Sequence, residues 1–163
     1  MTDRFDRRLF LGLTGAGIVS GALAFVGTTP AAAQSFAVRR SPADWRKRLG
    51  EARYNILREG GTERPYSSPL NNEKRKGVFA CAGCGLPLFL SSTKFDSGTG
   101  WPSFWAARDN AVIYRKDSTL GMSRTEEVCR RCGGHLGHVF DDGPKPTGKR
   151  HCINGLALRF IPA

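Results

Sequence analysis

The chain has 163 residues, 40% of them hydrophobic, with 20 glycines, nine prolines and a formal net charge of +11. That length supports one domain with a real core and excludes two of ordinary size. The apolar content excludes a disordered chain, the richness in Gly and Pro fits a loop-rich or β-rich fold, and the basic excess raises the question of an anionic partner.

Residues 1–33 read as an export signal. A polar opening carries Arg7-Arg8, the run from Leu9 to Gly27 has no charge, and Ala31 to Ala33 form a small-residue cleavage site. The twin arginine followed by Leu9-Phe10-Leu11 resembles the signal of the twin-arginine route, which carries folded proteins. The alternative is a membrane anchor, weakened by the many Gly, Ala, Ser and Thr residues. The expected organisation is therefore a removed signal over 1–33 and one domain over 34–163, exported to the periplasm without stable membrane association. Removing three arginines and two aspartates leaves +10. Outside the cytoplasm no nucleic-acid partner is expected, and the basic clusters "RRSPADWRKR" and "NNEKRKG" read as solvated surface.

Further along, Ser41-Pro42-Ala43-Asp44 has the form of a helix start, with a serine cap, proline in the first turn and an acid three residues after the cap. The pattern predicts a helix over Pro42–Glu59, interrupted at Gly50 and stopped by Gly60-Gly61. After the turn-rich "TERPYSSPLNN" come short apolar runs, "GVFAC", "LPLFL", "AVIYR", "HLGHVF" and "CINGLALRF", separated by Gly, Asp, Pro and Lys clusters. These are short antiparallel strands, so the expected architecture is mainly β with helices at the N-terminal end.

Four of the five cysteines form two C-x-x-C knuckles, Cys81/Cys84 and Cys129/Cys132, each followed by glycine. Two such knuckles supply the four thiolates that zinc prefers, and a closed four-thiolate site leaves no open coordination position, so one structural zinc is expected. Redox-active disulfides are the alternative. Export sharpens the point, because an oxidising compartment would scramble free thiols, whereas a metal loaded before export would protect them.

Cys152 is left over. On a strand through "RHCINGLALRF", Arg150, Cys152 and Asn154 share a face, with Leu156, Leu158 and Phe160 continuing it as an apolar floor. Arg150 and the neighbouring histidines would favour the thiolate and predict a lowered thiol pKa. A buried, inert cysteine is the plain alternative. Against it stands the company: His135, His138, His151, Asp141, Asp142 and Arg150 all fall within eighteen residues of "HLGHVFDDGPKPTGKRHC". His135 and His138 would face opposite sides of a regular strand, although a bulge at Gly137 would bring both toward the thiol.

The motifs "GTERPYS", "KGVFACAGCGLPLF", "TKFDSGTGWPSF", "VCRRCGGHLGHVFDDGP", "PTGKRHCIN" and "LRF", in this order from about Asp44 to Phe160, resemble the zinc-containing methionine-R-sulfoxide reductases, the B type of peptide methionine sulfoxide reductase. The resemblance implies two antiparallel β-sheets with N-terminal helices, a four-cysteine zinc away from the active site, and reduction of the R epimer of methionine sulfoxide in peptides and proteins. It implies Cys152 as nucleophile, surrounded by His138, His135, Asp142, Arg150 and Asn154, with His138 the first choice of acid for the departing oxygen. It further implies Trp101 packed on the substrate methyl group, with Phe140 and His151 completing the pocket walls.

Cys152 would become a sulfenic acid that another thiol reduces. Many relatives place a resolving cysteine two residues before the tryptophan; Thr99 stands there in this chain. The sequence thus resembles the one-cysteine form, dependent on an external thiol, thioredoxin-like or supplied by a periplasmic or membrane-linked donor. A monomer is expected. A second departure is Gly155, where relatives often carry serine, with an effect expected only on local packing. Two other readings remain, a non-catalytic zinc-stabilised basic binding module and a Cys-His acyl-transfer enzyme; the latter leaves the knuckles and the tryptophan loop unexplained.

Overall fold

The computed structural model describes residues 35–163, so the export-signal reading of 1–33 lies outside the described residues. Helix α1 spans Pro42–Glu59. It starts as its sequence dictates: the Ser41 hydroxyl accepts the Asp44 amide at 3.1 Å, and proline occupies the first turn. Gly50 breaks it with φ 71° and ψ 164°, and Gly60 closes it in the left-handed conformation, its amide bonded to the Asn55 carbonyl. Trp45, Tyr54, Ile56 and Leu57 form the buried stripe of the helix. No helix among the described residues is long and apolar enough to cross a membrane.

Nine strands follow: β1 Gly77–Cys81, β2 Pro87–Leu90, β3 Lys94–Phe95, β4 Ser103–Phe104, β5 Val112–Asp117, β6 Arg124–Cys129, β7 His135–Phe140, β8 Arg150–Ile153 and β9 Leu158–Pro162. They form two antiparallel sheets, one of three strands in the order β2-β1-β9 and one of six in the order β3-β4-β8-β7-β6-β5. The core joins them. Phe104 of the large sheet stacks on Phe89 with ring centroids 4.4 Å apart and meets Phe79 edge-on at 4.9 Å. The α1 residues Trp45, Ile56 and Leu57 belong to the same cluster, with Leu136 and Ile153.

One expected element is overturned. The run after Cys152 is not a continuous strand: β8 ends at Ile153, a 3-10 turn occupies Gly155–Ala157, and β9 enters the other sheet. The cause is Glu63, whose buried carboxylate accepts the Gly155 amide and the Leu156 amide (3.0 Å) and so bends the chain. Leu158 and Phe160 therefore pack in the small sheet, where Phe160 lies 5.0 Å from the Phe79 ring, and they lay no floor beside Cys152.

Candidate active site

The large sheet assembles the site by register. Cys152 on β8 is paired with His138 on β7 and with Ser103 on β4, and His138 is paired in turn with Glu126 on β6. Because paired residues share a face, Cys152, His138, Ser103 and Glu126 stand on one side of the sheet. His135 joins them through a bulge. Glu127 pairs with Gly137 but Val128 pairs with His135, so β7 holds one extra residue and both histidines reach the same side, their rings 5.6 Å apart. Gly137 permits it: a Cβ there would lie 2.0 Å from the Cys152 carbonyl oxygen.

Each histidine is held by a carboxylate. His135 Nδ1 lies 2.7 Å from Glu126 Oε1, and His138 Nε2 lies 2.8 Å from Asp117 Oδ2. The Asp117 carboxylate also accepts the Thr119 hydroxyl (2.7 Å) and amide (2.9 Å) and the Arg124 guanidinium (2.7 Å). The Thr119 donors first, then His138 and Arg124, hold that carboxyl well below its usual range; the His135 bond does the same for Glu126. Since Asp117 occupies Nε2, Nδ1 is the ring nitrogen of His138 left for a ligand.

Cys152 lies in a small cavity of about 140 Å³ lined by Trp101, Phe140, His138, Arg124, Asn154 and Thr62. Its volume suits the end of a side chain. Arg150 sits beside the thiol and donates twice to Asp142 at 2.8 Å, holding that carboxyl below its usual range, while its guanidinium lies 4.4 Å over the Phe140 ring. The expected lowering of the thiol pKa is overturned. Burial pushes Cys152 up and outweighs the opposing pull of Thr99 and Arg150, and Asp142 adds to the upward push.

The remaining sequence candidates separate by role. Trp101 is a cavity wall, and its indole N–H donates to the Glu63 carbonyl at 3.1 Å. Asn154 also lines the cavity, but its amide is committed to structure: Oδ1 accepts the Glu63 amide at 3.0 Å and Nδ2 donates to the Leu136 carbonyl at 3.1 Å. His151 is not brought to this cavity. It alternates to the opposite face, where its Nδ1 lies 2.7 Å from the fully buried Glu127 and its ring lines a separate cleft with Tyr114 and Trp105. The sequence reading missed Glu63, which ties Trp101, Asn154 and the turn after β8 together, and it missed Asp117, Arg124 and Glu126. Pairing "VIYRKD" with "RTEEVC" and the latter with "HLGHVF" would have brought the last three beside the histidines.

Cys81, Cys84, Cys129 and Cys132 converge, all four sulfurs within 4.8 Å of one another, with Cys81 to Cys132 at 3.7 Å and Cys84 to Cys129 at 3.5 Å. Four thiolates about 2.3 Å from one tetrahedral ion would stand about 3.8 Å apart. The donor set fits such an ion. The knuckle turns are fixed by the Gly85 and Gly133 amides donating to the Cys81 and Cys129 carbonyls, both at 2.8 Å.

Residues 49–162 match the SelR domain family model. The chain is 56% identical over 126 residues to the peptide methionine sulfoxide reductase MsrB of Agrobacterium fabrum, covering 77% of this chain and 93% of that one. It is 54% identical to the protein of the same name from Methanosarcina barkeri, over 76% of this chain and 88% of that one. The Leptospira interrogans relative is 50% identical, over 77% and 97%.

Proposed function

We propose that this chain, which belongs to the SelR-domain family of peptide methionine sulfoxide reductases, reduces the R epimer of methionine sulfoxide in peptides and proteins through Cys152. The observation that carries this reading is a single half-buried thiol in a small cavity between Trp101 and Phe140, with a carboxylate-held His138 across from it. Trp101 and Phe140 supply apolar surface for the methyl group; Arg124 and His138 supply polar groups for the sulfoxide oxygen.

The Cys152 thiolate attacks the sulfoxide sulfur and bonds to it while a proton from His138 Nδ1 goes to the oxygen. The hydroxyl then shifts to the Cys152 sulfur as the sulfur–sulfur bond and the methionine S–O bond break, leaving the electron pair on methionine, which departs as the thioether, and a sulfenic acid on Cys152. The sulfoxide is reduced by two electrons and the thiol oxidised by two. An external thiol attacks the sulfenic sulfur and releases water, and a second thiol completes the regeneration. The four clustered cysteines are held as ligands of one structural zinc, so none resolves the sulfenic acid. The sequence reading of 1–33 supports export by the twin-arginine route and repair of oxidised proteins in the periplasm; the proposed reductant is a thioredoxin-like or other external thiol, and the proposed state a monomer.

A single-turnover experiment tests the chemistry. Protein mixed with excess methionine sulfoxide peptide and no reductant should form one methionine per chain and a dimedone-trappable sulfenic acid on Cys152. Repeated turnover without thiol, or trapping on one of the four clustered cysteines, would contradict it.

A further inference from the structure

The two sides of Cys152 are unlike. Toward β7 and the cavity it faces ionisable groups: His138 across the strand pair, Arg150 beside it with Asp142 behind, and Arg124 on the far wall. Toward β4, among the described residues, it faces a row of hydroxyls. Thr99 Oγ1 lies 3.8 Å from Cys152 Sγ, Ser97 Oγ lies 2.8 Å from Thr99 Oγ1, and the Oγ of the fully buried Ser103 lies 2.7 Å from Ser97 Oγ. The row ends where Ser103 donates to the Trp101 carbonyl at 3.2 Å.

A row of hydroxyls has a direction, since each carries one proton. While Ser103 donates to Trp101, it must accept from Ser97, which accepts from Thr99, leaving the Thr99 oxygen to accept the Cys152 S–H. When Cys152 is a thiolate, the row is favoured in reverse: Ser103 donates to Ser97, Ser97 to Thr99, and Thr99 to the sulfur. No proton passes along it; each hydroxyl rotates, and the thiol proton leaves to solvent. The thiolate end gains a charge-assisted bond in place of a weak S–H donor, while the far end gives up a bond already near the long limit of good geometry. The loop is braced for this: the Gly98 amide donates to Asp96, and the Tyr66 hydroxyl donates to the Gly98 carbonyl at 2.6 Å.

We infer that Thr99, backed by Ser97 and Ser103, is a positioning residue that stabilises the Cys152 thiolate through a hydroxyl row that reverses when the thiol ionises. The position that holds a resolving thiol in many relatives thus serves activation of the nucleophile in this chain. The inference rests on Cys152 as the nucleophile. The Thr99 bond is also among the influences that lower the Cys152 pKa against burial.

The test follows the thiol itself. Iodoacetamide labelling of Cys152 in the metal-loaded protein, located by peptide mass and measured from pH 5 to 10, gives the midpoint of thiolate formation. Thr99→Val should move that midpoint upward and slow labelling at neutral pH by about threefold to tenfold, since tenfold corresponds to one pKa unit. Thr99→Ser should restore it. Ser97→Ala should raise it by less, because Thr99 keeps its bond to the sulfur but loses the donor behind it. An unmoved midpoint in Thr99→Val, failure of Thr99→Ser to restore it, no rise in Ser97→Ala, or a rise in Ser97→Ala equal to that of Thr99→Val would overturn the inference. Retained peptide reduction in Cys152→Ser would instead overturn the functional reading, so the two failures are distinguishable.

Discussion

At Cys152 the local forces oppose one another: burial favours the thiol, Thr99 and Arg150 favour the thiolate, and Asp142 partly offsets Arg150. With burial dominant, labelling of the unliganded protein should accelerate only as pH rises past the ordinary cysteine value of about 8.5. A midpoint below that of free cysteine would show that Arg150 and the histidines outweigh burial. The pairing of Cys152 with Arg150 was legible because the two are strand neighbours. The burial was not, since Trp101 and Thr62 arrive from distant loops. His151 shows the same limit in reverse: it adjoins Cys152 in sequence, yet strand alternation sends it to Glu127 on the other face.

At the scale of elements, α1 was legible to the residue because Ser41, Pro42, Gly50 and Gly60 each impose a local conformation. Strand β6 was not, because "RTEEVC" carries charges on both faces; each glutamate is matched by a histidine, Glu126 by His135 on the adjacent β7 and Glu127 by His151 on β8, one strand further across the sheet. The break after β8 was hidden for a similar reason, since Glu63 lies 92 residues from Gly155 in sequence. The bulge in β7 was readable from Gly137, and it is the element on which the site depends most. Gly137→Ala would drive a Cβ into the Cys152 carbonyl, 2.0 Å away. Guanidinium denaturation should show a loss of about 1–3 kcal/mol, with reductase activity falling further because β7 and β8 separate. Activity and stability both unchanged would mean that the strands adjust without cost. Gly155 is constrained by contact too: a serine there would meet the Ser68 hydroxyl, so the two positions are expected to change together.

Across the described residues, two thin sheets and helix α1 share a core, and the cysteine knuckles pin loops at the ends of β1 and β6 to one another. A metal held there ties together segments separated by 44 residues of chain, and its binding energy is folding energy. Removal of the ion by a strong chelator at mildly acidic pH should lower the melting temperature by at least about 10 °C, with one zinc per chain found beforehand by elemental analysis. Absence of zinc in protein folded in its presence would reject the metal assignment and leave the cysteines as thiols. The knuckles and the leftover thiol were both legible from cysteine spacing; the carboxylates that hold the histidines depended on strand pairing. The measurement that bears most directly on the account is turnover of the separated R and S epimers of a methionine sulfoxide peptide with dithiothreitol, wild type beside Cys152→Ser. Reduction of the R epimer alone, abolished in the variant while zinc and fold are kept, is the expected result. Equal reduction of both epimers, or undiminished turnover in Cys152→Ser, would contradict it.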